Sequence, residues 1–110
     1  MTEDTRKRIE EMIAKKRVVL FMKGSAMMPA CGFSAHAIQI LRAAGAKDIA
    51  TFDVLRDPEI REGIKEFSRW PTIPQAYIDG KFIGGSDILA EMHAKNELAA
   101  LIVPPAAAKE

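Results

Sequence analysis

The sequence predicts an α/β fold, with a four-stranded mixed sheet flanked by helices, and three observations carry that prediction. Stretches with helical apolar spacing alternate with short runs rich in β-branched and aromatic residues. The first such run, Val18-Val19-Leu20-Phe21-Met22, is apolar throughout, as in a strand buried on both faces. Asp79-Gly80 sits between Ala76-Tyr77-Ile78 and Lys81-Phe82-Ile83, a pairing that suits a hairpin with a two-residue type I′ turn.

The elements follow in order. Thr2, Glu3 and Asp4 suit a helix start, where a hydroxyl and two carboxylates meet the free N–H groups. Ile9, Met12 and Ile13 continue it at helical spacing, and Lys15, Lys16 and Arg17 suit the negative end of its dipole. After the strand Val18–Met22, a loop from Lys23-Gly24-Ser25 through Pro29 leads to Cys31. A helix from about Phe33 carries the stripe Ala37, Ile38, Leu41 and Ala44, with Gly45 at C′. Ile49–Val54 reads as a second strand, joined to the first by a helix and therefore parallel to it with a right-handed crossover. Asp57 as N-cap and Pro58 at N1 start a third helix that buries Ile60, Ile64 and Phe67, and Gly63 weakens it by up to about 1 kcal/mol. Gly84-Gly85 ends the hairpin, Ser86 caps a helix with Ile88, Leu89 and Met92, and a last helix spans Glu97–Ile102. Pro104-Pro105 stops it, and residues 103–110 read as a tail beyond a single domain with its core at about 5–102.

Composition excludes whole classes of function. The chain has 110 residues, 48% hydrophobic and 28% charged, the mixture of a folded domain and not of a disordered one. Sixteen Lys and Arg stand against 15 Asp and Glu, without the basic footprint of a nucleic-acid binder. No apolar run approaches the roughly 20 residues that cross a bilayer, so neither nucleic acid nor membrane is an expected partner. One cysteine, Cys31, excludes a disulfide within the chain, and with only His36 and His93 the residues do not make a usual zinc site. The charged start, Thr2 to Arg8, leads into no apolar segment and contains acids, so it reads as neither signal nor transit peptide. A reducing, cytoplasmic location is the expectation.

Cys31 lies between a buried strand and the start of a helix, where unpaired N–H groups and the macrodipole favour a thiolate, and Lys23 adds a nearby cation. Three residues on stands Ser34, where a C-x-x-C oxidoreductase has its second thiol. A hydroxyl cannot resolve a mixed disulfide, so chemistry at Cys31 needs sulfur from outside the chain.

At Cys31-Gly32-Phe33-Ser34 the chain resembles the monothiol, CGFS-type glutaredoxins. The resemblance extends to Phe21-Met22-Lys23-Gly24, Trp70-Pro71-Thr72-Ile73-Pro74-Gln75 and Gly84-Gly85-Ser86-Asp87, in that order over about residues 5–102. It implies a thioredoxin-like fold, a glutathione site, and a [2Fe–2S] cluster held between two subunits. Lys23 and Arg61 would then meet the glycine carboxylate of glutathione. Ile73, preceding a cis Pro74, would pair its backbone with the cysteinyl part. Gly85 would allow close backbone approach, while Ser86 and Asp87 would hold the γ-glutamyl end at a helix start. Relatives often carry a second cysteine where this chain has Ser86, so a disulfide to Cys31 is not available here.

A [2Fe–2S] cluster takes four thiolates and one chain offers one, so two chains and two glutathiones are implied. The resemblance thus implies a homodimer bridged by the cluster, receiving and passing it to iron–sulfur acceptor proteins, with BolA-type partners. Two other readings stay open. In one, Cys31 is the nucleophile of a glutathione-dependent thiol–disulfide oxidoreductase. In the other, the chain is an interaction adaptor that needs no cluster. Trp70 is expected to serve packing alone, His36 to lie on the surface, and Met27-Met28 to pack beneath the loop or to meet a partner.

Overall fold

In a computed structural model of the chain, which describes residues 1–103, the elements are α1 (Glu3–Ile13), β1 (Val18–Met22), α2 (Gly32–Ala43), β2 (Ile49–Asp53), a 3-10 turn (Val54–Arg56), α3 (Pro58–Ser68), β3 (Gln75–Ile78), β4 (Lys81–Gly84), α4 (Ser86–Ala94) and α5 (Glu97–Ile102). The stop at Pro104-Pro105 and the tail beyond it lie outside the described residues. Val103, expected in that tail, instead closes α5 by donating its N–H to Ala99 O at 2.8 Å.

The sheet order is β2-β1-β3-β4, with β1 and β2 parallel and β3 antiparallel to both β1 and β4. Every residue of β1 is buried because the sheet is covered on both faces. Val18, Leu20 and Met22 pack with α2, α4 and α5, whereas Val19 and Phe21 pack with α1 and α3. Each such Val, Leu, Met or Phe side chain contributes about 1.5–3 kcal/mol by leaving water. The thioredoxin-like, four-stranded mixed sheet is as the sequence predicts. Among the described residues no helix is long and apolar enough to cross a membrane.

Local chemistry sets the ends. Thr2 Oγ1 accepts from Thr5 N at 3.1 Å and Asp57 Oδ1 from Ile60 N at 3.3 Å, so both expected N-caps form. Gly45 has φ +108° beyond α2, and Asp79 and Gly80, at φ 51° and 78°, give the type I′ turn. Three boundaries differ from expectation. β2 stops at Asp53, not Val54, because Asp53 Oδ1 accepts from Leu55 N at 3.0 Å and turns the chain. Lys15, Lys16 and Arg17 fall beyond α1, which ends at Ile13 with no basic residue in its last turn. Ser86 is the first residue of α4 and not its cap. Gly85 occupies that position, and no side chain caps the helix.

The topology gathers five segments at one end of the sheet. The C-terminal ends of β1 and β4, the start of β3 and the first turns of α2 and α4 all meet there, since Phe21 pairs with Gln75 and Ala76 with Gly84. Residues far apart in sequence thereby share one surface.

Candidate functional site

Cys31 is the N-cap of α2 and partly exposed. Its Sγ accepts from Ser34 N at 3.4 Å and donates to Ser34 Oγ at 3.3 Å. Ser34 is fully buried, and its Oγ accepts from Lys23 N at 3.0 Å, which leaves the hydroxyl proton free to turn toward a thiolate. Burial pushes the Cys31 thiol up, but the Ser34 hydroxyl, the Ser34 and Phe33 N–H groups and the Lys23 charge outweigh it, and the thiol lies below its ordinary value. The serine that replaces a second thiol is thus a donor to the first.

The loop before Cys31 is folded on itself. Ser25 N donates to Met28 O, Met28 N to Ser25 Oγ, and Ala30 N to Lys23 O. Gly24 has φ +83°, and a Cβ there would lie 2.5 Å from Ala30 N and Met28 O, so only glycine fits this crossing. Met27 and Met28 are 92% and 79% exposed, so they do not pack beneath the loop. His36 is exposed on α2, as expected.

Beside this sulfur runs a groove of about 430 Å³. Lys23, Arg61, Ile73, Gly85, Ser86 and Asp87 all line it, so the structure brings together six of the residues singled out in the sequence. Cys31 and Pro74 are not in the lining. Cys31 stands at the end marked by Lys23 and Phe33, and Pro74 is buried behind Ile73, to which it is joined by a cis peptide bond. No hydrogen bond among the described residues uses the Ile73 N–H.

The groove is lined by charges of both signs, from helices on opposite faces of the sheet. Lys23, Arg61 and Lys65 supply cations, and Arg61 Nε is buried without a partner. From the face opposite α3 come the Asp87 carboxylate and the uncapped first turn of α4, whose N–H groups carry partial positive charge. A Cβ on Gly85 would approach Pro74 O to 3.2 Å and the Trp70 indole nitrogen to 3.7 Å. Its close approach is therefore to the Trp70–Pro74 segment of the chain itself.

Sequence reasoning missed three contributors. Trp70 is not packing alone, because it lines the groove while lying against Phe82 at 5.8 Å between ring centroids. Phe33, 65% exposed, also lines it. Lys65, paired with Glu62 at 3.4 Å, is the third. The signal for Lys65 was present, since it follows Arg61 by four residues and so shares its helix face. Among the described residues no group of three or more His, Cys, Asp or Glu could hold a metal ion. The arrangement suits an elongated ligand with an anion at one end, mixed charge at the other and a reactive atom near Cys31.

Comparison with known proteins agrees with this geometry. A family model described as Glutaredoxin matches residues 18–83. The chain is 50% identical over 98 residues to an uncharacterized monothiol glutaredoxin ycf64-like protein of Synechocystis, covering 89% of this chain and 91% of that protein. It is 52% identical over 100 residues to monothiol glutaredoxin-5, mitochondrial, of Schizosaccharomyces pombe, covering 89% and 68% respectively. The solution structure of reduced poplar apo GrxS14 superposes with a TM-score of 0.76 at 41% identity, over 86% of this chain and 85% of that one.

Proposed function

The chain belongs to the glutaredoxin family, and from that premise we propose that it binds glutathione in the groove beside Cys31 and carries a [2Fe–2S] cluster as cargo between two subunits. One observation carries the reading: a groove lined by Lys23, Arg61 and the start of α4 beside a single thiol of lowered pKa. Glutathione has a carboxylate at its glycine end and both a carboxylate and an ammonium at its γ-glutamyl end. Lys23 and Arg61 take the first. The Arg61 Nε–H, which otherwise stays buried and unpaired at a cost of about 1–3 kcal/mol, gains an acceptor there. The Ile73 backbone pairs with the cysteinyl unit. The start of α4 at Gly85 and Ser86 takes the γ-glutamyl carboxylate, and Asp87 takes the ammonium.

The cluster fits this donor set only across two chains. Iron in such clusters is held by four thiolates, and Cys31 is a thiol shifted toward thiolate at an accessible surface. A homodimer with two glutathiones completes the set. Because half of the ligands are exchangeable small molecules, the reading extends to transfer to iron–sulfur acceptor proteins, with BolA-type proteins as partners. A reducing, cytoplasmic setting belongs to the same proposal, since Cys31 must remain unoxidised.

Anaerobic reconstitution with iron, sulfide and glutathione is expected to give a coloured species of twice the chain mass. A dimer that forms equally well with Cys31→Ser, or without glutathione, overturns the carrier reading.

The lowered Cys31 thiol also favours a second reading, glutathione-dependent thiol–disulfide exchange. The Cys31 thiolate attacks the glutathione sulfur of a glutathionylated thiol, forms a mixed disulfide with it and expels the substrate thiolate. A second glutathione thiolate then attacks that disulfide, giving glutathione disulfide and free Cys31. Rapid turnover of a small mixed disulfide would promote this reading over the carrier.

A further inference from the structure

The Trp70–Ile73 segment forms one wall of the groove, and neither it nor Pro74 belongs to a helix or strand. Pro71 and Pro74 have no N–H to donate, so the segment has few backbone means of holding its shape. Its carbonyls are fastened from behind by Gln75, the first residue of β3, which is fully buried and outside the groove lining. Gln75 Nε2 donates to Trp70 O at 2.9 Å and to Thr72 O at 3.2 Å. Both amide protons are thus committed to carbonyls on either side of Pro71. The reverse orientation would set Oε1 against two carbonyl oxygens, so the neighbours fix the sense of the amide.

Oε1 itself is buried with no hydrogen-bond partner. An apolar side chain would fill the space without that desolvation cost, so packing alone does not explain a glutamine here. The two donors do. We propose that Gln75 is the positioning residue of the groove: by holding the Trp70 and Thr72 carbonyls it fixes the Trp70–Ile73 wall and presents the Ile73 backbone to the ligand. The inference rests on the glutathione reading of the groove and concerns a residue that does not touch glutathione. Without the tie, the wall must be ordered when the ligand arrives, and that ordering weakens binding.

Gln75→Met keeps the length and apolar burial but removes both donors, and Gln75→Glu keeps the shape while turning a carboxylate toward two carbonyls. Glutathione affinity is measured by calorimetry in a Cys31→Ser background, and ligand-free amide exchange is followed over residues 69–73. The Cys31 alkylation pH profile is measured with the thiol present. For Gln75→Met, affinity is expected to fall about tenfold, with Gln75→Glu weaker still, and exchange at Trp70, whose N–H donates to Lys65 O at 3.1 Å, to rise by at least about tenfold. The Cys31 profile stays in place. Affinity within twofold of the parent, unchanged exchange, or a Cys31 profile that shifts together with affinity overturns the proposal. Should Gln75→Met fail to fold, the Gln75 side-chain amide protons of the unaltered protein give the answer. Slow exchange that slows further with glutathione supports the tie, and exchange at the rate of a free amide overturns it. A parent chain that binds no glutathione overturns the reading of the groove, while the ligand-free exchange still tests the hold of Gln75 on the wall.

Discussion

At the scale of single residues, Ser34 decides more than its loss of a sulfur suggests. A hydroxyl in place of a second thiol removes the internal route to a disulfide, and here it also supports the remaining sulfur, with Sγ to Oγ at 3.3 Å and Sγ to Ser34 N at 3.4 Å. Hydrogen bonds to a charged group are worth more than those to a neutral one, so Ser34 favours the thiolate over the thiol. Ser34→Ala removes the hydroxyl and leaves the backbone N–H. The Cys31 thiol is then expected to titrate at higher pH, and iodoacetamide alkylation at neutral pH to slow several-fold. The rate still rises with pH, but its rise moves toward the value of a free thiol. An unchanged profile would mean that the backbone N–H groups and Lys23 alone hold the thiolate. The sign for stability follows, because a group whose folded pKa is lowered stabilises the fold above its unfolded value. That contribution from Cys31 is lost as pH falls through the folded value, and Ser34→Ala shrinks it.

At the scale of elements, α3 shows how packing reverses a propensity argument. Helix propensity alone makes Gly63 a weakness of up to about 1 kcal/mol against alanine. In the fold Gly63 is buried where α1 crosses α3, and a Cβ there would lie 2.8 Å from Thr5 Cγ2 and 3.2 Å from Ile9 Cδ1. Thr5 cannot simply turn away, since its Oγ1 donates to Glu59 at 3.2 Å and accepts from Thr2 at 3.0 Å. Gly63→Ala is therefore expected to destabilise by about 1–3 kcal/mol in urea unfolding, the usual cost of overpacking. A stabilised Gly63→Ala protein would show that α1 does not depend on this close approach. Since α3 carries Arg61 and Lys65, the packing of α1 also sets one wall of the groove.

At the scale of the whole molecule, the chain is tied together at the end opposite Cys31 by Arg17. Its guanidinium pairs with Asp79 in the hairpin turn at 2.8 Å and donates to Ile102 O and Leu101 O at 2.9 and 3.0 Å. One side chain thus joins the approach to β1, the β3–β4 turn and the last turn of α5, where a cation suits the helix dipole. The pair with Asp79 is half-exposed and contributes little alone. Arg17→Ala is expected to speed amide exchange in α5 while leaving glutathione binding unchanged, because the groove lies at the other end of the sheet. If binding weakens in step with α5 exchange, the two ends are coupled and the separation of fold from site fails.

The sequence alone determined the elements, because helix caps, turn residues and apolar periodicity act over a few neighbours. Thr2, Asp57, Gly45 and Asp79-Gly80 needed no distant partner to be legible. It also determined the one-thiol chemistry, which follows from counting sulfurs. Tertiary structure alone decided which surfaces meet. Trp70, Phe33 and Lys65 entered the groove because α3 and the loop before β3 pack beside the segments that meet at one end of the sheet. The physical difference is range: a cap or a turn is settled within four residues, whereas a wall built by Gln75 or a Gly63 contact with Thr5 exists only once distant strands and helices have packed.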